Sequence, residues 1–484
     1  MKKLTFLLIL VALAISTPLF SQEQLGLRVE NYAGINGVLL NPTHSLDYPH
    51  TWNLNLIGTG FFFDNNYAFI TNATIGSLAR NENEVDFAPN YKNKIPPSDA
   101  SLLDFPTNHR NRYLHFHSIT NGPGFGLKLG KNHAFGLFFN ARVEGSAAKI
   151  PKKLNFYYLD TIPYNTKLTA PIVNAAFMGW RELGINYAYQ GETNNGFFQI
   201  GINAKFLTGY ESAFARSNSS FIFTRFKNDS IQVDAPSVSY GFSNANFNNI
   251  KNSTYQLQPT GSGMGFDLGF SILVDADDFD NYGLRIGAAI IDIGQVNYSE
   301  KVEEHLVQYN QTSNYTGKDY KGIKSPQEAI ETLSKQAYND VKKSFVDNAY
   351  SIGLPTALSV QADYQFFQNA YANVAWIQRL PYQKIGVRRT NVLSVGARYE
   401  HRWFGGMTSL QIYEYQRVRL GFAARLAFLT IGSDNIGSFI GKSKLSGTDF
   451  YVAFKLNPFG LNLGKPRWFD KFGKRGKNVD CYKF

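Results

Sequence analysis

The chain has 484 residues, 44% hydrophobic, 15% aromatic and only 18% charged, with a formal net charge of +11 and a single cysteine. One cysteine excludes any intramolecular disulfide, so this is no stapled small domain and must hold together by burial or by membrane insertion. Forty phenylalanines and 28 tyrosines against four methionines favour strands, because aromatic side chains fit a pleated surface.

The first residues, MKKLTFLLILVALAISTPLFSQEQ, set two lysines before an apolar run from Leu4 to Ile15 and small or polar residues around Ser21. That layout predicts a signal peptide over 1–21, and hence an exported chain with a net charge of about +9 once Lys2 and Lys3 are removed. Export sets nucleic acid aside as a partner. No later stretch approaches the roughly 20 apolar residues that cross a bilayer as a helix, so a membrane form must be a closed barrel. Residues 22–50 form an N-terminal segment entering it, in which Asn41-Pro42 reads as a turn.

The barrel is expected over 51–457. WNLNLIGTGFFF and NYAFITNATI open it, and GPGFGLKLG with HAFGLFFNARV makes a hairpin about Lys131-Asn132. In that hairpin Phe125, Leu127, Leu129, Phe135, Leu137 and Phe139 share one face, while Gly124, Gly126, Lys128, Gly136, Asn140 and Arg142 share the other. The pattern recurs in RELGINYAYQ with GFFQIGINAKF, MGFDLGFSILV with YGLRIGAAII, TALSVQADYQF with AYANVAWIQ, NVLSVGARYEHRW with TSLQIYEYQ, then RLGFAARLAFL and TDFYVAFKL. This is an all-β, transmembrane antiparallel barrel of about 14 strands, with alternation of period two and aromatic girdles from Trp52, Tyr187, Tyr189, Trp376, Tyr399, Trp403, Tyr413 and Tyr415.

Long polar connections fall at 76–111, 145–180, 211–263 and 294–354. The last holds a helix in SPQEAIETLSKQAYNDVKKSF, with a capping box from Ser325 and Glu328 and a stripe of Ile330, Leu333, Ala337, Tyr338, Val341 and Phe345. It packs on the barrel mouth or serves as a plug. With residue 22 in the periplasm and Trp52 opening the first upward strand, the short turns fall on the outside, opposite to the usual arrangement, so either one strand assignment is wrong or the barrel carries its bulk on the periplasmic side. Residues 458–484 are a basic, aromatic tail, with seven Lys or Arg against two Asp over 465–484.

The layout of GINGVLLNP, GTGFFFDNNYAFI, GPGFGLKLGKNHAFGL and the basic tail resembles a family of Bacteroidota outer-membrane proteins known only as a domain of unknown function. The asparagine-proline segment is more distantly similar to the fatty-acid transporter-like barrels. The resemblance implies a barrel of about fourteen strands with an N-terminal segment entering it, and it implies no substrate.

Charged residues on the small-residue face are assigned to the lumen, because Arg or Lys facing lipid at mid-depth costs about 2–4 kcal/mol. They are Lys128, Arg142, Lys205, Arg285, Arg398, Arg402, Arg425 and Lys455 against Glu182, Asp267, Asp363 and Glu400. They either bias the lumen toward anions or pair and fill it. His115 and His117 share a strand face, a spacing that suits a shared metal or simply lumen histidines, and Cys481 is a free thiol. No metal, cofactor or catalytic constellation is assigned. Thr161 and Ser230 lie in short patterns resembling O-glycosylation acceptors.

The expected protein is a non-enzymatic barrel in the outer membrane of a Gram-negative bacterium, a channel or transporter for a small solute. The alternative is an accessory envelope barrel that docks other envelope proteins through its loops and tail. Its partners are outer-membrane lipid and, in the second case, those proteins.

Overall fold

A computed structural model describes residues 23–457, apart from 81–84, 92–94, 99, 107, 109, 152–162, 228–229, 244–256, 279–280, 309–311, 317–321, 323–325 and 442. The expected signal peptide, the basic tail, Cys481, Thr161 and Ser325 lie outside the described residues.

Fourteen antiparallel strands close into a ring. Numbering only ring strands, they are β1 (Trp52–Asn65), β2 (Arg112–Leu129), β3 (His133–Ile150), β4 (Asn174–Thr193), β5 (Gly196–Ser217), β6 (Gly261–Asp278), β7 (Asn281–Tyr298), β8 (Ala357–Phe367), β9 (Ala370–Arg379), β10 (Val392–Glu400), β11 (Phe404–Tyr413), β12 (Arg417–Leu426), β13 (Leu429–Ser433) and β14 (Gly447–Leu456). Closure is made by β1, which pairs with β2 on one edge and with β14 on the other. Closing the ring pairs the first and last strands, whose edges would otherwise meet lipid, as a membrane-spanning sheet requires.

The outer surface is apolar. Phe125, Leu137, Ile185, Ile202, Leu268, Ile286, Val395 and Leu410 all point outward and are exposed, and the residues alternating with them point in. The aromatic positions at strand ends follow this rule with one exception. Tyr413, assigned above to a girdle, is 1% exposed and faces inward, where it stacks on Phe62.

The count of about 14 strands stands, but two assignments behind it change. Part of NYAFITNATI, Phe69–Ala73, lies outside the ring in a small sheet with Ser101–Asp104 and Ser443–Leu445. LTIGS, of which only Leu429 is included above, at the end of RLGFAARLAFL, supplies β13. Moving one strand out at the beginning restores the usual parity: the turns after β2, β4, β6, β8, β10 and β12 all lie at the end where β1 starts. The long connections lie at the other.

Strands β2 to β7 run 18–22 residues and β8 to β12 only 9–11. About ten residues suffice to cross a bilayer, so the extra halves of β2 to β7 stand above the wall and absorb part of the sequence read as loop. They carry a cap in which Ser237–Ser243 pairs with β5 and with Val302–Gln308. The helix Pro326–Tyr338 packs Leu333, Ala337 and Tyr338 on Tyr240 and Val307. It is therefore a packed element of the cap and does not plug the lumen. Asn339 has a φ of 59° and ends it, so Val341 and Phe345 fall beyond its stripe.

A plugged lumen and a cleft in the wall

The barrel is filled from within. Every residue from Glu23 to Tyr48 is buried except Tyr32, which is half-buried. This segment folds as a single helical turn, Leu25–Arg28, followed by 3-10 turns at Asn31–Leu39 and Pro42–Ser45. It forms a plug that meets the wall on all sides.

Small inward residues make room for it. The Asn41-Pro42 turn sits against Gly201, Gly269 and Gly287: a Cβ on Gly269 would lie 2.2 Å from Asn41 Oδ1, and one on Gly201 2.7 Å from the Pro42 carbonyl carbon. Glycine, disfavoured in ordinary strands, is needed here for close backbone approach. The Asn41 amide donates to Gln361 at 3.1 Å and Ser271 at 3.3 Å, and its oxygen accepts from the Thr43 amide at 3.1 Å. Asn186 donates to the Pro42 carbonyl at 3.0 Å.

Eleven of the twelve assigned charges are buried inside the barrel, where they form networks with the plug. Near the long-loop end, Asp292 of β7 accepts from both terminal nitrogens of Arg142 at 2.9 and 3.0 Å, from Lys205 at 2.7 Å and from Arg389 at 2.7 Å. Lys205 also pairs with Asp267, and Asn140 donates to Glu182 at 2.7 Å. A second network joins Arg285 to Asp47 of the plug at 2.6 Å and to Asp363, which Arg398 shares. Glu400 accepts from Arg398 at 2.5 Å and from the Asn31 amide at 3.0 Å. In the third, Glu30 of the plug takes Arg425 and Lys455, each at 2.8 Å. Lys128 donates to the Leu46 and Tyr48 carbonyls.

Arg402 departs from the assignment. It sits in the turn between β10 and β11, exposed, with its guanidinium over the Trp403 ring at 5.3 Å. Alternation stops carrying facing information once a strand ends, and His401 already lies in the turn. His115 and His117 do face the interior, but Glu144 stands 2.6 Å from His117 while His115 meets the Arg388 carbonyl at 3.1 Å. Among the described residues no group of three or more metal-ligating side chains converges. Ser230 is buried at the start of the strand Ser230–Asp234.

Sequence reasoning missed Asp292, Arg389, Asp47 and Glu30. Asp292 has a φ of 56°, a left-handed conformation that breaks the alternation and turns its carboxylate inward.

The wall itself is incomplete at one place. β13 pairs with β12 only from Phe422 to Leu426, and with β14 only from Tyr451 to Phe454. Above it Arg417–Gly421 and Gly447–Phe450 face each other without a strand between them. The chain instead turns at Asp434 into the short helix Gly437–Ile440, leaving a cavity of about 910 Å3. Phe69, Phe105, Val418, Leu420, Ile436 and Ile440 give it an apolar lining, with Arg417, Arg419 and Lys444 at its margin. Asp434, next in the chain to the lining residue Asn435, accepts from the Leu25 amide of the plug at 3.3 Å, and the Gly26 amide donates to Tyr451 at 3.0 Å.

Several solved outer-membrane barrels are similar in outline. A mutant of the monoaromatic hydrocarbon channel TodX aligns with a TM-score of 0.43 at 10% identity, over 88% of this chain and 95% of that one. The Pseudomonas putida toluene transporter TodX gives 0.38 at 9%, over 88% and 94%. The Ralstonia pickettii toluene transporter TbuX gives 0.23 at 9%, also over 88% and 94%. No curated protein matches the chain. A family model described as a family of unknown function, DUF5723, matches residues 42–434, and the chain belongs to that family.

Proposed function

We propose that this protein is a non-enzymatic channel in the outer membrane of a Gram-negative bacterium, closed by its own N-terminal segment, for a small apolar or amphipathic solute. The cavity between β12 and β14 carries this reading. It lies at a break in the strand ladder of the wall, its lining is mostly apolar, and Asp434, the chain neighbour of its lining residue Asn435, accepts from the Leu25 amide in the first turn of the plug. A solute that partitions from the membrane side would enter there, one residue along the chain from the Asp434 contact to the plug. The usual placement of long loops outside puts the cavity toward the outer leaflet.

The rival reading, an accessory barrel that docks envelope proteins, draws on the tight filling of the lumen. Blocking the cavity separates the two. Gly441 lines the cavity, and a Cβ on it would meet nothing nearer than the Gly437 carbonyl at 3.9 Å, so Gly441→Trp is the substitution chosen to occupy the space. Uptake of a fluorescent aromatic probe by cells making the protein should fall with Gly441→Trp to that of cells lacking it. Equal uptake in all three strains favours the accessory role.

A further inference from the structure

The connection between β9 and β10, Leu380–Asn391, does not arch over the barrel as a hairpin loop between neighbouring strands would. It begins outside the wall: Tyr382 is 55% exposed, and its hydroxyl accepts from the Gly294 amide at 2.8 Å. It then passes inward beside Gly353, whose amide donates to the Ile385 carbonyl at 3.0 Å and whose carbonyl accepts from Val387 at 3.2 Å. Val387 is buried with Met178, Trp180 and Ile352. The Arg388 amide donates to Ser146 Oγ of β3 at 2.9 Å, and its carbonyl meets His115 of β2 at 3.1 Å. On the return the Asn391 amide donates to Glu414 at 2.9 Å.

In a ring of fourteen, β9 and β10 lie seven places from β2 and β3. The connection therefore crosses the full diameter of the lumen on the long-loop side of the plug. At its far point Arg389, 3% exposed, holds Asp292 of the wall at 2.7 Å and Glu23 of the plug at 3.3 Å. We infer that Leu380–Asn391 is a second closure of the pore, a crossbar latched to the N-terminal plug through Arg389, so that the lumen is shut twice in series along its axis. A barrel shut along its axis from the long-loop side leaves the wall cavity as the open approach, but the crossbar stands on its own contacts and not on that reading.

The test is thiol accessibility in the purified full chain in detergent, with Cys481→Ser and Gln24→Cys. Gln24 is fully buried behind the crossbar. A bulky maleimide should label Cys-substituted position 24 slowly in this parent. Replacing 381–389 by an Asn-Gly turn, which joins adjacent antiparallel strands directly, should speed labelling. Arg389→Gln should speed it by about tenfold, the scale set by losing charge-assisted hydrogen bonds, with Arg389→Lys between. Rapid labelling of the parent, or no change on replacing 381–389, overturns the crossbar. A parent-like rate in Arg389→Gln overturns the latch, and this single change remains decisive if the shortened chain does not fold.

Discussion

Arg285 of β7 grips Asp47 of the plug at 2.6 Å with both side chains out of solvent, while its other terminal nitrogen holds Asp363 of β8. The wall thus carries its own counter-ion and the plug carries a second. Asp47→Ala leaves Arg285 paired with Asp363 but also removes the acceptor to which Gln199 donates at 3.0 Å, so two hydrogen bonds to a charged group are lost, each worth about 1.5–3 kcal/mol of plug docking.

Glu30 is a second case. It is the carboxylate that Arg425 and Lys455 share, at 2.8 Å from each, their other hydrogen bonds going to backbone carbonyls, among them those of His401 and Tyr32. Glu30→Gln leaves two buried cations facing one neutral amide, and breaking such a cluster costs about 3–5 kcal/mol. Hydrogen exchange over residues 25–48 should rise in both Glu30→Gln and Asp47→Ala, with ring strands unchanged. Exchange in Glu30→Gln equal to that of the unmodified chain would show that Glu30 does not hold both cations.

Steric fit should matter as much as charge. Gly201→Ala and Gly269→Ala each drive a methyl into the Asn41-Pro42 turn, and overpacking of this kind costs about 1–3 kcal/mol. Both should loosen the plug, measured as protease cleavage within 23–50. Gly441→Ala, with open space around its Cβ, should leave cleavage unchanged.

The outward face fixes the lipid boundary. Leu137 and Ile185, paired across β3 and β4 in the halves next to the short turns, are 51% and 49% exposed. Leu137→Lys and Ile185→Lys should each cost about 2–4 kcal/mol in urea unfolding from lipid vesicles if they sit near the bilayer midplane. A cost near zero would mean that this face meets water.

The cap should respond to pH. His305 stacks on Tyr240 with rings 5.1 Å apart and contacts Ser344 at 3.1 Å and Glu303 at 3.2 Å. Burial pushes its pKa below the ordinary value, with Glu303 opposing. The unfolded cap then binds more protons than the folded one, so stability is present above about 6.5 and declines as pH falls below it. Amide exchange in Val302–Gln308 should accelerate between pH 7.5 and 5.5, and His305→Gln should remove that dependence.

Period-two alternation carried most of the wall, because residues facing lipid and residues facing the plug differ in kind. It failed where the ladder itself is irregular. LTIGS is five residues long because the wall breaks above it, so it offers too little pattern to read as a strand. NYAFITNATI alternates well enough but pairs in a cap sheet, a tertiary choice that local sequence does not encode. Arg402 and Tyr413 sit within two residues of strand ends, where facing is lost or shifts. The lumen charges were legible as inward, yet their partners were not: Asp47, Glu30 and Arg389 lie in segments without periodicity. The crossbar reads as an ordinary polar connection until the opposite wall is seen.

For solute to pass through the lumen, the plug has to move. Thr43 Oγ1 and Ser271 Oγ are 2.7 Å apart, joining the plug to β6 across 228 positions of sequence. Thr43→Cys with Ser271→Cys, in a Cys481→Ser chain, places two thiols within reach of a disulfide. Uptake of an aromatic probe by cells should be abolished when this pair is oxidised and restored on reduction, each single variant being insensitive to oxidant. Undiminished uptake through a barrel whose plug is shown to be cross-linked would contradict the account.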